Sequence, residues 1–347
     1  MTSETIRVGL IGYGYAGKTF HAPLIAADAG LVLAAIASRD PAKVHADWPD
    51  VAVVPSPQAL LERDDIDLVV IATPNITHYP LAQAGLIAGK HVVVDKPFTT
   101  TVTEAETLAE LAVQRECVLS VFHNRRWDGD FLTLCELVQS GELGEIMYLE
   151  SHYDRFRPLV RDRWREQVGP GSGIWFDLGA HVLDQAIQLF GLPDALQADI
   201  VAQRPGARVD DYFHVQLHYG ARRVVLHGSS LVAAPGPRFI VHGRNGSFLK
   251  YGLDPQEDAL KAGIRPGTEG WGDDPLPGLL TTVHGDAQGQ RRVPTIPGNY
   301  PAFYQGVRKA ILGQAPNPVP PAEAISVMRL LELAQQHSLE DRKIARI

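Results

Sequence analysis

The sequence predicts an α/β protein built from two domains. The N-terminal domain is a doubly wound parallel sheet, and the C-terminal domain is α/β with a large open, mostly antiparallel sheet. Two observations support this prediction. Short apolar strands alternate with helical segments from residue 6 to residue 121, which is typical of a parallel sheet with crossover helices. Beyond residue 194, successive strands are separated by tight turns such as Tyr219-Gly220 and Asn245-Gly246, which favours antiparallel pairing.

Composition narrows the class of protein. A chain of 347 residues is long for one core, and 45% hydrophobic with 21% charged residues is ordinary for a globular protein. The formal charge of −8 argues against a nucleic-acid partner. Cys117 and Cys135 have neither metal spacing nor a disulfide framework, so we expect no metal. We find no signal peptide and no apolar run near the ~20 residues that span a bilayer, so we expect no membrane partner and a cytoplasmic location.

A glycine-rich turn links the first predicted strand, residues 6–11, to the first predicted helix, residues 18–27. It reads Gly12-Tyr13-Gly14-Tyr15-Ala16-Gly17, which is G-x-G-x-x-G in the position of a dinucleotide-binding motif. The first glycine permits the tight turn, the second lets the backbone approach a pyrophosphate, and the third lets the helix pack closely on the strand. The helix N-terminus then favours the diphosphate anion. These six residues predict a Rossmann domain that binds a nicotinamide dinucleotide.

The choice between NADP and NAD depends on the end of the second predicted strand, residues 31–37. This strand ends in Ser38-Arg39-Asp40. An NAD site normally offers a carboxylate to the ribose 2′-hydroxyl, whereas a hydroxyl and a guanidinium suit a 2′-phosphate. We therefore favour NADP over NAD as the cofactor. In the competing interpretation, Arg39 stacks on the adenine while Asp40 or water holds the ribose.

Polar residues follow the strand predicted at 67–72. Thr73, Pro74 and Asn75 come directly after it, and His78 follows shortly. Ligands of open α/β sheets bind outside the carboxyl ends of the strands, so these residues are candidates for the ribose and nicotinamide side of the cofactor. The alternative for His78 is an ordinary residue at a helix N-terminus.

The strand predicted at 91–94 delivers Asp95-Lys96-Pro97 to the same edge of the sheet. Alone, Lys96 is more typical of a solvated lysine at the end of an edge strand. Beside a dinucleotide motif it lies where chemistry is expected, and the proline fixes the turn after it. The other elements predicted for this domain are strands at 51–54 and 118–121 and helices at 57–62, 81–88 and 103–115.

The pattern changes near residues 123 and 124, so we predict a Rossmann domain over residues 1–123 and a substrate domain over 124–347. The segment 252–298 is rich in glycine, proline, aspartate and threonine and is predicted to be irregular, either as an ordered part of this domain or as a mobile lid. The predicted strands are 146–153, 195–203, 212–219, 222–229 and 238–242, and the predicted helices are 131–138, 177–190, 301–312 and 322–337.

Two features of the second domain carry candidate chemistry. Asp177 and His181 are four residues apart on a predicted helix and therefore share one face, although a carboxylate there is also an ordinary N-cap and a lone histidine is often structural. Five arginines (Arg155, Arg157, Arg161, Arg163 and Arg165) surround Trp164 in one loop. The loop is a solvated surface, a clamp for cofactor phosphates or a segment that orders a lid. As a clamp, it would bring Trp164 and Arg165 into contact with the cofactor.

At this point the chain resembles the glucose–fructose oxidoreductase / inositol dehydrogenase (Gfo/Idh/MocA) family over nearly its full length. The resemblance rests on Gly12-x-Gly14-x-x-Gly17, Ala72-Thr73-Pro74-Asn75, Asp95-Lys96-Pro97 and Asp177-x-x-x-His181. Residues 122–128, 163–166 and 256–260 look most like those of NADP-dependent scyllo-inositol dehydrogenases. One residue departs from the pattern, because Asp95 stands where the family usually has glutamate. The shorter acid leaves its own role open and does not affect Lys96.

The resemblance implies an α/β domain whose open sheet covers the active site and often forms an oligomer interface, so we expect a homo-oligomer. The residues themselves suit hydride transfer, in which the cofactor performs the redox step. His181 is the predicted general base, Lys96 is predicted to stabilise the developing alkoxide, and Asp177 is predicted to hold the substrate or to orient the other two. Asn124, Arg125, Arg126, His152 and Tyr153 add polar groups for a hydroxylated substrate.

We therefore predict an NADP-dependent oxidoreductase that acts on a cyclic polyol or its ketone, such as scyllo-inositol. Two other interpretations stay open at this point. The same motifs suit an enzyme for an aldose or a dicarbonyl sugar. A non-catalytic NADP-binding regulator is the other class, although a sensor needs none of Lys96, Asp177 and His181.

Overall fold

The computed structural model describes residues 5–285 and 287–340 of the chain. By their internal contacts these residues form two compact units. The first unit runs to Trp127 and also includes Pro255–Gly272 and Asn299–Ile325. The second comprises Asp128–Asp254, Asp273–Gly298 and the described residues from Ser326 onward. The predicted domain boundary between residues 123 and 124 stays a prediction. The first unit also contains two segments from later in the chain.

The first unit contains a parallel sheet of six strands in the order β3-β2-β1-β4-β5-β6. This is the strand order of doubly wound nucleotide-binding sheets, so the predicted fold class is confirmed for this half. The central strands are rich in valine, isoleucine and leucine because helices bury both of their faces. The strands are β1 (Ile6–Ile11), β2 (Leu31–Ala37), β3 (Ala52–Val54), β4 (Leu68–Ile71), β5 (His91–Val94) and β6 (Leu119–Val121).

Three helices of the first unit begin at a residue whose side chain caps the first turn. Asp40 caps the helix after β2 by accepting a hydrogen bond from the backbone N–H of Lys43, and Thr101 with Glu104 forms a reciprocal capping box. A short π-helical segment, Gly17–His21, precedes the first α-helix. The helices are α1 (Ala22–Ala26), α2 (Pro41–His45), α3 (Pro57–Leu61), α4 (His78–Ile87) and α5 (Val102–Gln114), and later in the chain α8 (Gln256–Lys261) and α9 (Pro301–Ile311).

The second unit contains a sheet of eight strands in the order β14-β13-β12-β11-β7-β10-β9-β8. β7 and β10 run parallel and the other neighbours are antiparallel, which confirms the prediction of a mostly antiparallel sheet. The strands are β7 (Ile146–His152), β8 (Ala195–Val201), β9 (Tyr212–Tyr219), β10 (Arg222–Ser229), β11 (Phe239–Gly243), β12 (Gly246–Lys250), β13 (Gly278–His284) and β14 (Ala287–Val293). The remaining helices are α6 (Gly129–Ser140), α7 (Ala180–Phe190) and α10 (Pro321–Glu340), and α10 belongs to this unit from Ser326 onward.

The two faces of this sheet differ in what covers them. Phe213 of β9 is buried and packs edge-on against Trp175, which precedes α7. Successive residues of a strand point to opposite faces, so His214 lies on the other face, where it is exposed. We call the face of Phe213 the helix face and the face of His214 the open face.

The prediction that residues 252–298 are irregular is wrong. The segment contains α8, which belongs to the first unit, and the hairpin β13–β14, which extends the sheet of the second unit. Most of β14 is exposed at the sheet edge, so its polar sequence lacks the apolar alternation that marks a half-buried strand. Among the described residues, no helix combines the length and hydropathy that crossing a membrane requires.

Candidate active-site residues

A groove of about 650 Å³ lies at the carboxyl ends of β1, β2 and β4. This volume is typical of ligand sites, which run from roughly 300 to 1,000 Å³. The sheet order reverses between β1 and β4, and open α/β sheets bind their ligands at that point. The groove is lined by Ile11, Gly12, Tyr13, Gly14, Ala37, Ser38, Arg39, Asp40, Lys43, Pro55, Ser56, Pro57, Ala72, Thr73 and Pro74.

Each glycine of the turn has its own structural reason. Gly12 has φ +97°, and a Cβ there would lie 2.5 Å from the carbonyl oxygen of Ala72. A Cβ on Gly17 would lie 2.1 Å from the carbonyl oxygen of Gly12. Gly14 differs, because no heavy atom of the described protein lies within 4 Å of its ideal Cβ position. The space over Gly14 therefore lies open to a ligand, and the backbone can approach a pyrophosphate there.

The far end of the groove carries positive charge. Arg39 is exposed and forms no ion pair with any residue that the structure describes. Asp40 is engaged as the N-cap of α2, where its Oδ1 accepts from the Lys43 backbone at 3.0 Å. The Lys43 ammonium lies 3.0 Å from the Tyr13 carbonyl oxygen and lines the groove. Our sequence reasoning missed Lys43, although its place in the first turn of the helix after β2 points it back to the strand end.

The two tyrosines of the turn are held by carboxylates. Tyr13 donates to Asp47 at 2.9 Å, and burial with this contact raises the pKa of Tyr13. Tyr15 donates to Glu257 of α8 at 2.7 Å, and burial with this contact raises the pKa of Tyr15 to about 12. Ala16 precedes the π-helical segment and provides no side-chain cap. Both hydroxyls therefore remain protonated donors that fix the turn.

His78 fixes the loop that follows β4. Its Nδ1 and Nε2 each lie 2.9 Å from a carbonyl oxygen, that of Pro97 and that of Thr73 respectively. The ring is fully buried, and this burial lowers the pKa of His78. Of the two interpretations, these contacts favour the helix N-terminal residue, which here joins the loops after β4 and β5. Asn75 is also buried, at 4% exposure, whereas Thr73 and Pro74 line the groove.

Asp95 and Lys96 follow β5, next to β4 in the sheet. The Asp95 carboxylate is buried, accepts from the Lys96 backbone N–H at 2.8 Å and lies 3.9 Å from Nε2 of His21. Burial opposes its ionisation, but His21, Lys96 and His78 outweigh burial and hold the pKa of Asp95 below its usual value. The shorter acid is thus a buried anion, and Lys96 is half-buried beside it.

The junction residues Asn124, Arg125 and Arg126 are all buried in the first unit. Arg125 donates to Glu257 at 2.6 Å and to the Tyr300 hydroxyl at 3.3 Å. Arg126 donates to Glu323 at 2.6 Å. These ion pairs give both arginines a structural role, and their contact with substrate stays a prediction.

In the second unit, Asp177 lies in a π-helical segment, Trp175–Gly179, that continues directly into α7. His181 is in the first turn of α7 and is 5% exposed, while the Asp177 side chain is 19% exposed. At the start of this segment the half-buried Asp210 accepts a hydrogen bond from the Trp175 backbone N–H at 2.7 Å. Burial raises the pKa of Asp210 to about 6. Sequence reasoning missed Asp210, which is 35 residues from its partner.

The arginine loop faces Asp177. Arg165 Nε lies 3.6 Å from Asp177 Oδ1, and Glu166 is bound by Arg163 at 2.8 Å and Arg204 at 3.1 Å. Arg155, Arg157, Arg163 and Arg165 line one small pocket with Asp177 and Asp210. The loop is therefore more than a solvated surface. The side chain of Trp164 lies outside the described part of the structure, so its predicted cofactor contact stays a prediction.

Tyr153 and His152 lie on different sides of the sheet. Tyr153 is 2% exposed, and Arg238, which donates to Gln185 of α7 at 2.7 Å, lies 5.5 Å from its ring centroid. Tyr153 thus belongs to the helix face, together with Asp177 and His181. His152 points to the open face, where it contacts Glu150 and Asp154. Sequence reasoning grouped the two residues by their polarity and did not apply the alternation of the strand that it predicted over 146–153.

Comparison with known proteins adds to this geometry. The family description "Oxidoreductase family, NAD-binding Rossmann fold" (GFO_IDH_MocA) matches residues 6–123, and its "C-terminal alpha/beta domain" matches residues 135–345. The uncharacterized oxidoreductase YdgJ of Escherichia coli is 60% identical over 95% of this chain and 96% of its own. The scyllo-inositol 2-dehydrogenase (NADP(+)) IolW of Bacillus subtilis is 42% identical over 98% of this chain and 96% of its own.

Solved structures agree with the sequence comparisons. The structure of YPO2259 from Yersinia pestis superposes with a TM-score of 0.95 at 55% identity, covering 99% of this chain and 98% of its own. An oxidoreductase from Bacillus cereus superposes with a TM-score of 0.87 at 37% identity, covering 95% of each chain.

Proposed function

Since this chain belongs to the Gfo/Idh/MocA oxidoreductase family, we propose that it transfers a hydride between NADP and a cyclic polyol or its ketone, with scyllo-inositol and its inosose as the model pair. NAD(P)-dependent oxidoreductase activity follows from the family itself. The observation that carries the finer assignment is the 42% identity, over nearly the whole chain, to an NADP-dependent scyllo-inositol 2-dehydrogenase.

The preference for NADP is supported by the far end of the groove. Arg39 and Lys43 place two cations there, beside the hydroxyl of Ser38. The only carboxylate among the described lining residues is that of Asp40, and it is engaged in capping α2. A 2′-phosphate gains charge-assisted hydrogen bonds from such a set, whereas a 2′-hydroxyl gains little from the two cations.

The open space over Gly14 fits the diphosphate, and Thr73 and Pro74 line the same groove. When bound, the nicotinamide accepts or donates the hydride. In the oxidising direction, His181 accepts the proton of the substrate hydroxyl, and Lys96 stabilises the charge that develops on that oxygen. Asp177 holds a substrate hydroxyl, and Arg165, at 3.6 Å, orients this carboxylate.

The substrate class is supported by the polar character of these side chains. Asp177, His181 and the arginines of the pocket offer donors and acceptors at close spacing, which suits a compact and heavily hydroxylated molecule. A site built to bind hydroxyl groups rejects analogues without them by ~10⁴-fold or more, since its own polar groups would stay unpaired. Simple alcohols and cyclohexanol should therefore be very poor substrates.

The test is NADP⁺ reduction by the purified protein with inositol isomers, aldoses and cyclohexanol, and NADPH oxidation with an inosose and a dicarbonyl sugar, each repeated with NAD⁺ or NADH. We expect at least one inositol isomer to react readily and faster with NADP⁺. Reaction with an aldose or a dicarbonyl sugar alone would overturn the substrate class and leave hydride transfer in place. Tight NADPH binding without turnover on any of them would favour the regulator. Localisation in the cytoplasm and self-association remain predictions from the sequence.

A further inference from the structure

Four polar side chains form a compact cluster on the open face of the second unit's sheet: Glu150, His152, Asp154 and His227. His152 and His227 are direct neighbours in the parallel pair β7 and β10, and Asp154 follows β7 by two residues. His152 Nδ1 lies 3.6 Å from Asp154 Oδ2, and His227 Nε2 lies 3.3 Å from Asp154 Oδ1. Nothing in the proposed hydride transfer uses these groups.

We propose that His152, Asp154 and His227 bind a divalent transition metal ion of the zinc type. Zinc bonds to imidazole nitrogen and carboxylate oxygen are about 2.0–2.2 Å long, and a tetrahedral arrangement then separates its ligand atoms by roughly 3.3–3.6 Å. The separations of 3.6 Å from His152 Nδ1 to Asp154 Oδ2 and 3.3 Å from His227 Nε2 to Asp154 Oδ1 are of this size, and they end on the two oxygens of one carboxylate, which zinc binds through either oxygen or both. One ligand atom from each of the three residues lies within 4.8 Å of the others, so all three face one point.

The surroundings of the cluster are those of a metal site. Histidine ligands usually donate their second ring nitrogen to a carboxylate, which fixes the ring and makes the ligating nitrogen more basic. His152 does this, because its Nε2 lies 2.6 Å from Glu150 Oε2, and the Tyr148 hydroxyl in turn donates to Glu150. Asp154 is oriented by the Ser229 backbone N–H at 3.1 Å. The ligands are therefore positioned by their neighbours before any ion arrives.

Charge and access also favour a cation. With neutral imidazoles, Glu150 and Asp154 leave two negative charges, which one divalent ion neutralises. The side chains of His152 and His227 are 21% and 17% exposed, so an ion can enter from the open face. Imidazole with carboxylate is a donor set that zinc accepts. The fourth position is left for water or for His214, whose ring centroid lies 5.9 Å from that of His227.

An ion at this place joins β7 to β10 and lies on the opposite face of the sheet from α7. It therefore lies away from Asp177 and His181 within the same unit, and its detection does not depend on turnover. Because it binds the folded chain, it should raise the melting temperature in a manner that depends on zinc concentration.

In the experiment, the full-length protein is first treated with a chelator to remove bound metal. It is then titrated with Zn²⁺ by calorimetry, and competition with a chromophoric chelator gives the dissociation constant. We expect one saturable tight site per chain, its loss in His227→Gln and Asp154→Asn, and a 10–100-fold weaker site in Glu150→Gln. The matched control is His242→Gln, because His242 is exposed on the same sheet but is hydrogen-bonded to Ser247 outside the cluster.

Two outcomes of the zinc titration would overturn the proposal. One is a wild-type protein that shows no saturable zinc site. The other is a His242→Gln variant that loses zinc as completely as His227→Gln, which would indicate scattered binding to surface histidines. Should a cluster variant fail to fold, anomalous diffraction at the zinc edge from wild-type crystals decides the matter. A peak between His152 and His227 supports the site, and a peak elsewhere or none refutes it.

Discussion

A matched pair of alanine substitutions separates the ligand role of one glycine from the packing role of another. Gly14→Ala and Gly17→Ala each add one methyl group to the same turn. The ideal Cβ of Gly14 meets no protein atom within 4 Å, whereas that of Gly17 would lie 2.1 Å from the carbonyl oxygen of Gly12. We expect Gly14→Ala to weaken cofactor binding with little loss of stability. Gly17→Ala should destabilise the fold.

The magnitudes follow from these contacts. At Gly14 the added methyl group meets no described protein atom and only reduces the entropy of the unfolded chain, so the free energy of unfolding should change by less than about 1 kcal/mol. Loss of one hydrogen bond to a charged phosphate is worth about 1.5–3 kcal/mol, or roughly ten- to a hundredfold in the dissociation constant of NADPH. At Gly17 the backbone must shift, which costs about 1–3 kcal/mol.

Denaturant unfolding and NADPH fluorescence titration, run on both variants without substrate, check this prediction. Gly14→Ala should show normal stability and weak NADPH binding. Gly17→Ala should show lowered stability. Unchanged NADPH affinity in Gly14→Ala would show that the open space over this residue does not receive the cofactor. Equal destabilisation of both variants would show that the turn responds to any added methyl group.

Three further predictions test other parts of the groove and its support. Arg39→Ala should weaken NADP binding by about tenfold or more while leaving NAD binding nearly unchanged, as measured by titration with both cofactors; equal losses would mean that Arg39 stacks on adenine. Lys96→Met should lower turnover by roughly 10²–10³-fold or more with NADPH binding intact, so near-normal turnover would remove Lys96 from the chemistry. Burial opposes ionisation of Glu257, but Arg125, Tyr15 and Lys261 together lower the pKa of Glu257 to about 2. Its stabilising contribution, about 3 kcal/mol, should be present above pH ~4.5 and lost towards pH ~2, so Glu257→Gln should flatten the acid limb of stability against pH. Glu145→Gln should flatten it far less, because the ion pair of Glu145 with Arg244 is exposed and screened by solvent.

Local patterns in the sequence were sufficient to predict the first sheet and one edge of its site. Strand ends and the glycine-rich turn follow from runs of β-branched residues and from residues with special backbone freedom, and both are readable over a few positions. Because parallel strands bring their carboxyl ends to one edge, Gly12, Arg39, Thr73 and Lys96 could be assigned to that edge without coordinates. The helix that carries Asp177 and His181 was likewise marked by its apolar period.

Contacts between distant segments could not be predicted from local sequence patterns. Tyr15 and Glu257 are 242 residues apart in the chain and share one hydrogen bond. Glu257 comes back to the turn on α8, a helix in a segment whose composition indicated irregular structure. Asp210 contacts the start of the helix that carries Asp177 from a different loop. No local pattern around either residue predicts this contact.

The sequence by itself thus determined the alternation of strands and helices, the dinucleotide turn and the residue types available for hydride transfer, because these depend on neighbours within one element. Only the tertiary structure decided which of two adjacent residues serves which face. Tyr153 packs on the helix side of the second sheet while His152 turns to the open side and meets His227, its partner in the register of β7 and β10. Register and pleat are set by pairing between strands about 70 residues apart, and a one-residue slip would exchange the two faces.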